Sequence, residues 1–455
     1  MKKRNTLIVD KDELVEMNSF CNDYIHFLNE CKTERESISF IENKLKESGF
    51  DRLEDKTSLK KGDKVYFVNH KKSIYAAIIG TAPLTDGVNI IGSHVDTPRL
   101  DLKPSPLYEE KNISLLKTHY YGGIKKYQWT AIPLSLHGII YTKDGNKKTI
   151  SIGDKEGDPV FTISDLLPHL SRKQYEKRIG DAIKGEELNV LVGNISSEEN
   201  SSKSHILEIL EKDYNIDEES FLSAELTFVP AFNAKSLGFD QSMIAGYGQD
   251  DRSCAYASLE AFLSTESPSI SSICIFADKE EVGSMGNTGM ESEIFDYFMS
   301  EVLDKRGDNG VNSLKKLYYN SKMLSADVTA AYDPNAKYAF DKLNCAYLGS
   351  GVALNKYTGS GGKKGASDAS SEYVHFILNL FKEHNISYQV TELGKIDYGG
   401  GGTIAFILAN KGINVIDCGV AVLSMHAPYE VINKFDLYSL YKAYKLFFQT
   451  DKKLS

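Results

Sequence analysis

The stretch NIIGSHVDTP, residues 89–98, ends an apolar run with a histidine and an aspartate two positions apart. In an extended strand, positions i and i+2 point the same way, roughly 6.6 Å apart along the chain, so His94 and Asp96 are expected to face one common space. A single H-x-D most often does no more than close a strand, but this chain offers more. Glu280 and Glu281 follow the apolar run SSICIFADK, Asp327 follows KMLSA, and His426 follows GVAVLSM. Asp250 and Asp251 stand in GYGQDDRSCAYASLEAF, where a glycine-rich loop opens a helix. Taken singly, Asp250 is an ordinary helix N-cap, and Asp327 or His426 an ordinary structural side chain. Taken together they are imidazoles and carboxylates at successive loop mouths, an oxygen-and-nitrogen set suited to zinc, manganese or cobalt. A pair of such ions about 3.5–4 Å apart needs a bridging carboxylate and separate ligands for each ion. A further glutamate would take a proton from water, and an aspartate behind a ligating histidine would orient its ring. The residues found are enough to fill these roles.

Strands must hold those loop mouths, and in open α/β sheets sites collect outside the carboxyl ends of the strands. Strand-like runs occur at KVYFVNH, SIYAAIIGT, GVNIIGSHVD, SISSICIFAD, KMLSADVT, ISYQVTEL and INVIDCGVAVLSM. Helical patterns occur at SCAYASLEAFLS, ESEIFDYFMSEVLDK, SEYVHFILNLFKEH and FDLYSLYKAYKLFF. Their alternation predicts an α/β fold, a mixed sheet with helices on both faces. Residues 12–49 read as two helices, the second opened by a Thr33–Glu36 capping box with Ile38, Ile41 and Leu45 on one stripe. After Pro98 the chain becomes rich in β-branched and aromatic residues, with a hairpin expected at Asp144-Gly145. Helical stretches are expected at ISDLLPHLSRKQYEKRI and SSKSHILEILEKD. The simplest organisation is an α/β domain, residues 1–98 and 236–455, interrupted by an inserted β-rich domain, residues 99–235.

A chain of 455 residues is too long for one simple core. Its net charge of -10 argues against a nucleic-acid partner and against a basic membrane-binding face. Six cysteines are scattered without a C-x-x-C pair, which disfavours both a disulfide framework and a thiolate zinc finger. The basic start carries an apolar run of Leu7, Ile8 and Val9 alone, too short for a secretory signal, so a cytoplasmic location is expected. No H-E-x-x-H helix or G-x-S-x-G elbow occurs, and TGSGGKKGASD lacks phosphate-loop spacing. The YGGGGTI run reads as a close backbone approach.

Six blocks, in order, carry a resemblance: GSHVDTPRLDLKP, DKEEVGSMGNTG, SADVTAAYDPN, GGKKGASDASSEY, ELGKIDYGGGGTIA and VLSMHAPYEV. Together they resemble the aspartyl aminopeptidase family of dinuclear zinc exopeptidases, which also includes vacuolar aminopeptidase I. The resemblance implies that His94 and Asp327 hold one zinc ion, that Glu281 and His426 hold the other, and that Asp250 bridges, with Asp251 as the alternative bridge. It makes Glu280 the general base and acid and Asp96 the partner of His94. It makes the insert a dimerisation domain whose TISDLLPHL segment carries His169 toward a neighbouring subunit's site, in a dodecamer built from dimers. Two positions depart from the family pattern. Ala330 stands where many relatives carry histidine, and the lysine linked to acidic side chains in some relatives is matched only by the nearby Lys363 and Lys364. Neutral N-terminal residues such as Leu are therefore at least as expected as Asp or Glu. The activity implied is removal of single N-terminal residues from peptides, with cobalt or manganese as possible substitutes for zinc. A dinuclear metal deacylase or carboxypeptidase is the nearest alternative, and an inactive assembly protein of the same fold is the non-enzymatic one.

Overall fold

Ile74, Ala76 and Ile78 pack into one apolar cluster while Tyr75, Ala77 and Ile79 pack into another. The same split divides Cys274 and Phe276 from Ile273, Ile275 and Ala277. Strands whose two faces both enter a core need helices on both sides, and their sequences become continuously apolar. This arrangement is seen in a computed structural model that describes residues 11–197 and 200–454. The basic start with Leu7, Ile8 and Val9 lies outside the described residues. On one face pack Lys11–Glu30, Glu34–Glu47, Gln249–Leu263, Ser371–Glu383 and Lys434–Gln449; on the other pack Ile294–Arg306, Ser313–Asn320 and Ala405–Ala409. The fold is a mixed α/β structure, as the alternation of patterns predicts.

The described chain divides into two compact units. The first comprises the residues up to Asp96, Ala234–Met425, and those from Tyr429 onward. Its main sheet has nine strands, in the order Asp51–Arg52, Lys64–Asn69, Ser73–Ile78, Ser272–Ala277, Asn89–His94, Lys322–Ser325, Asn414–Gly419, Val352–Asn355, Tyr388–Thr391. The four strands from Ser272–Ala277 to Asn414–Gly419 are mutually parallel. Their carboxyl ends therefore share one edge of the sheet. A second sheet of five strands includes Met243–Gly246, Glu430–Asn433, Ala421–Leu423 and Thr329–Ala330. Thr33 caps the helix Glu34–Glu47 in the capping box read from sequence.

Phe262, on the helix Gln249–Leu263, is fully buried, with ring centroids 5.5 Å from Phe50 and 5.2 Å from Phe448. Phe262→Ala leaves a cavity between elements that cannot all close on it. The expected loss is about 3–5 kcal/mol, read as a lower denaturant midpoint with an unchanged slope.

The second unit, Thr97–Asn233 with His426–Pro428, is built on an antiparallel sheet of six strands. Leu134–Tyr141 and Lys147–Ile152 form the expected hairpin, with Gly145 at φ 76° in its turn. The segment ISDLLPHLSRKQYEKRI, expected to be helical, is instead broken into the short turns Pro168–Leu170, Arg172–Tyr175 and Ile179–Ala182. Pro168 sits at the start of the first turn, and Leu166, Leu167 and Leu170 are exposed. With a proline inside it and no stripe packed on a core, the segment lacks what holds a long helix together.

Candidate metal centre

His94 is the last residue of the strand Asn89–His94, buried along its whole length. Its Nδ1 lies 3.0 Å from the Asp96 carbonyl oxygen and 3.3 Å from Asp96 Oδ1. A carbonyl oxygen can only accept, so Nδ1 carries a proton, and Nε2 is the atom left to offer a lone pair to an ion whenever the ring is neutral. Nε2 faces Asp250 Oδ1 at 3.2 Å and Glu280 Oε2 at 3.9 Å. His426 shows the same arrangement: its Nδ1 donates to the Gly123 carbonyl oxygen at 2.8 Å, which again leaves the lone pair on Nε2.

The Asp96 carboxylate, fully buried, does a second job. Oδ1 accepts the Glu280 amide and Oδ2 the Glu281 amide, each at 3.1 Å. One side chain thus holds both the imidazole of His94 and the turn Glu280–Val282, entered through Lys279 at φ 65° and left through Gly283 at φ 89°. A non-glycine residue in the left-handed region costs energy and persists where its surroundings over-determine it.

Asp250 and Asp251 open the helix Gln249–Leu263 with non-helical dihedrals, and the peptide between them is cis. The Asp250 amide donates to Glu430 Oε2 at 3.2 Å, while Asp251 Oδ2 accepts the His94 amide at 3.3 Å. Asp327 follows the strand Lys322–Ser325 beside Gly419. A Cβ on Gly419 would stand 1.9 Å from the Asp327 carbonyl oxygen, so only glycine permits this approach.

Two groups of ligand atoms result. His94, Asp250 and Asp327 form one, and Asp250, Glu281 and His426 the other; within each, the ligand atoms lie within 4.8 Å of one another. Asp250 belongs to both. The electrostatics fit a cation. Burial pushes the Asp327 carboxyl well above the usual carboxylate range, and the charges of Asp251 and Asp250 push it further. Burial disfavours the His94 imidazolium, but hydrogen bonds to Asp250 and Asp96 outweigh it and hold its pKa well above the usual value. Carboxylates crowded out of water repel one another, and a divalent ion bound by imidazole and carboxylate relieves that repulsion.

A family model described as aminopeptidase I zinc metalloprotease (M18) matches residues 27–448. The chain belongs to this family. It is a peptidase, a hydrolase of the zinc metalloprotease class. A probable M18 family aminopeptidase 1 of Clostridium acetobutylicum is 47% identical over 446 residues, spanning 96% of both chains. The crystal structure of an M18 family aminopeptidase from Thermotoga maritima superposes with a TM-score of 0.93 at 43% identity, covering 97% of this chain and 98% of that one. The S. cerevisiae mApe1 dodecamer shares the fold, with a TM-score of 0.77 at 21% identity over 95% of this chain and 97% of that one.

Three other candidate residues of this aminopeptidase-family chain stand apart from the two ligand groups. His169 lies exposed in the turn Pro168–Leu170 of the inserted unit. Lys363 pairs with Asp368 at 3.0 Å and sits 3.8 Å from the centre of the Tyr357 ring. Lys364 is exposed, its backbone paired with Ser360. Sequence reasoning missed Glu430, a nearly fully buried carboxylate on the Asp250 amide. No spacing rule marks it: it opens the strand Glu430–Asn433 as an isolated charge, and only pairing with Met243–Gly246 brings it beside the helix start.

Proposed function

We propose that this chain is a dinuclear zinc aminopeptidase that removes single N-terminal residues from peptides. The observation that carries the reading is the sharing of Asp250 by two ligand groups, each completed by a histidine and a further carboxylate. In this reading His94 and Asp327 hold one zinc, Glu281 and His426 hold the other, and Asp250 bridges. Zinc ions held there would polarise the scissile carbonyl and make a water acidic enough to lose a proton near neutral pH. Glu280 takes that proton on its carboxylate and delivers it to the departing amine. Asp96 orients His94 and fixes the backbone of Glu280 and Glu281, while Glu430 anchors the Asp250 amide.

Cobalt and manganese suit the same donors and are proposed as substitutes. The proposal includes a homo-oligomer, a dodecamer built from dimers, supported by the assembly named for the yeast relative. In that assembly His169 would reach a neighbouring subunit's site. Lys363 and Lys364 are proposed to lie near the substrate. The pairing of Lys363 with Asp368 supports neutral first residues over acidic ones. A cytoplasmic location is supported by six cysteines that are all unpaired and buried, and among the described residues no helix is long and apolar enough to cross a membrane.

The test compares aminoacyl anilides differing in their first residue, each with its N-acetylated form, in metal-supplemented protein. Cleavage of the free-amine compounds is expected. Cleavage confined to the acetylated compounds would replace the aminopeptidase reading with that of a deacylase or carboxypeptidase.

A further inference from the structure

We infer that a cavity at the amino ends of the parallel strands is a binding site for a small anion bearing a carboxylate or phosphate group, with Lys322 as its cationic anchor. The cavity measures about 330 Å³ and is lined among others by Gly87, Tyr319, Asn320, Lys322, Asn414 and Lys453. Lys322 opens the strand Lys322–Ser325, Asn414 opens Asn414–Gly419, and Gly87 precedes Asn89–His94. The site therefore lies at the opposite end of the strands that carry His94 and lead to Asp327. At about 3.3 Å per residue over one strand, that is roughly 20 Å from the metal centre.

The charge balance of the cavity points to an anion. Lys322 is 3% exposed, and its ammonium group donates to the Lys452 carbonyl oxygen and lies 4.9 Å from the Phe376 ring centre. No carboxylate forms an ion pair with it among the described residues. The neighbouring charges are already matched: Lys453 pairs with Asp86 at 2.9 Å, and Lys452 pairs with Glu383. Asp451 is exposed and acts on Lys322 from beyond ion-pair range. An ammonium taken from water without a counter-charge is held at a cost, seen as a pKa pulled down to about 8 by burial. A carboxylate or phosphate in the adjacent space would supply the missing charge and accept the ammonium's remaining donors. Asn414 and Tyr319 line the same cavity, and their side chains carry amide and hydroxyl donors.

The experiment is calorimetric titration of the metal-loaded protein at pH 7, with inorganic phosphate in one arm and succinate in the other. Saturable binding of at least one anion is expected, and the arm that binds names the class. Lys322→Met, close in volume, should weaken that binding at least tenfold. Asn414→Asp places a carboxylate in the cavity and should weaken it likewise, so the outcome does not hang on one variant folding. Binding to the metal ions themselves would survive both substitutions. Absence of saturable binding in both arms, or affinities within twofold of the parent in both variants, overturns the inference.

Discussion

Replacing Glu280 with Gln should leave the metal content of the protein unchanged and reduce kcat by about 10²–10⁴-fold, the range of a lost general acid–base. The substitution keeps the shape of the side chain and removes its ability to take a proton. The backbone of residue 280 is held by Asp96 Oδ1 through its amide, which Gln also has, so the turn should stay in place. Elemental analysis beside initial-rate kinetics separates this outcome from a folding defect. Wild-type turnover in the Gln variant would remove Glu280 from the mechanism.

On the dinuclear reading proposed above, the Asp250→Asn variant should lose both metals, with affinity falling by more than the 10–100-fold typical of losing a partner behind a ligand. Its carboxylate is the one ligand common to both groups, and an amide offers one oxygen without a charge. Activity should fall with metal content and recover poorly at high zinc. Asp251→Asn is the matched control, because Asp251 Oδ2 accepts the His94 amide and an Asn oxygen can still do so. If Asp251→Asn stripped the metals and Asp250→Asn retained them, the bridge would belong to the second aspartate.

Much of the fold was legible because its determinants are local. A strand buried on both faces shows itself as a continuous apolar run, and a helix shows its stripe and its Thr33–Glu36 cap within a few residues. Where a local pattern lacked a tertiary partner, the reading failed: the segment around Pro168 has helix formers but no core to lie on. The candidate residues were legible for a related reason. His94, Glu280, Glu281, Asp327 and His426 each follow an apolar run, and the end of a strand is a place where a buried chain can release a polar side chain.

The sequence by itself determined which side chains stand at loop mouths and what chemistry that set of donors can perform. Only the tertiary structure decided which of them meet. Ser272–Ala277 inserts between Ser73–Ile78 and Asn89–His94, and that pairing sets the Asp96 carboxylate against amides 184 and 185 residues away. The packing of the helix Gln249–Leu263 against Asn89–His94 turns Asp250 toward Nε2 of His94 and Asp251 toward its amide, a choice two adjacent aspartates do not encode. The physical reason is range: periodicity and caps act over one or two turns of chain, whereas strand pairing and burial are settled by the whole chain at once.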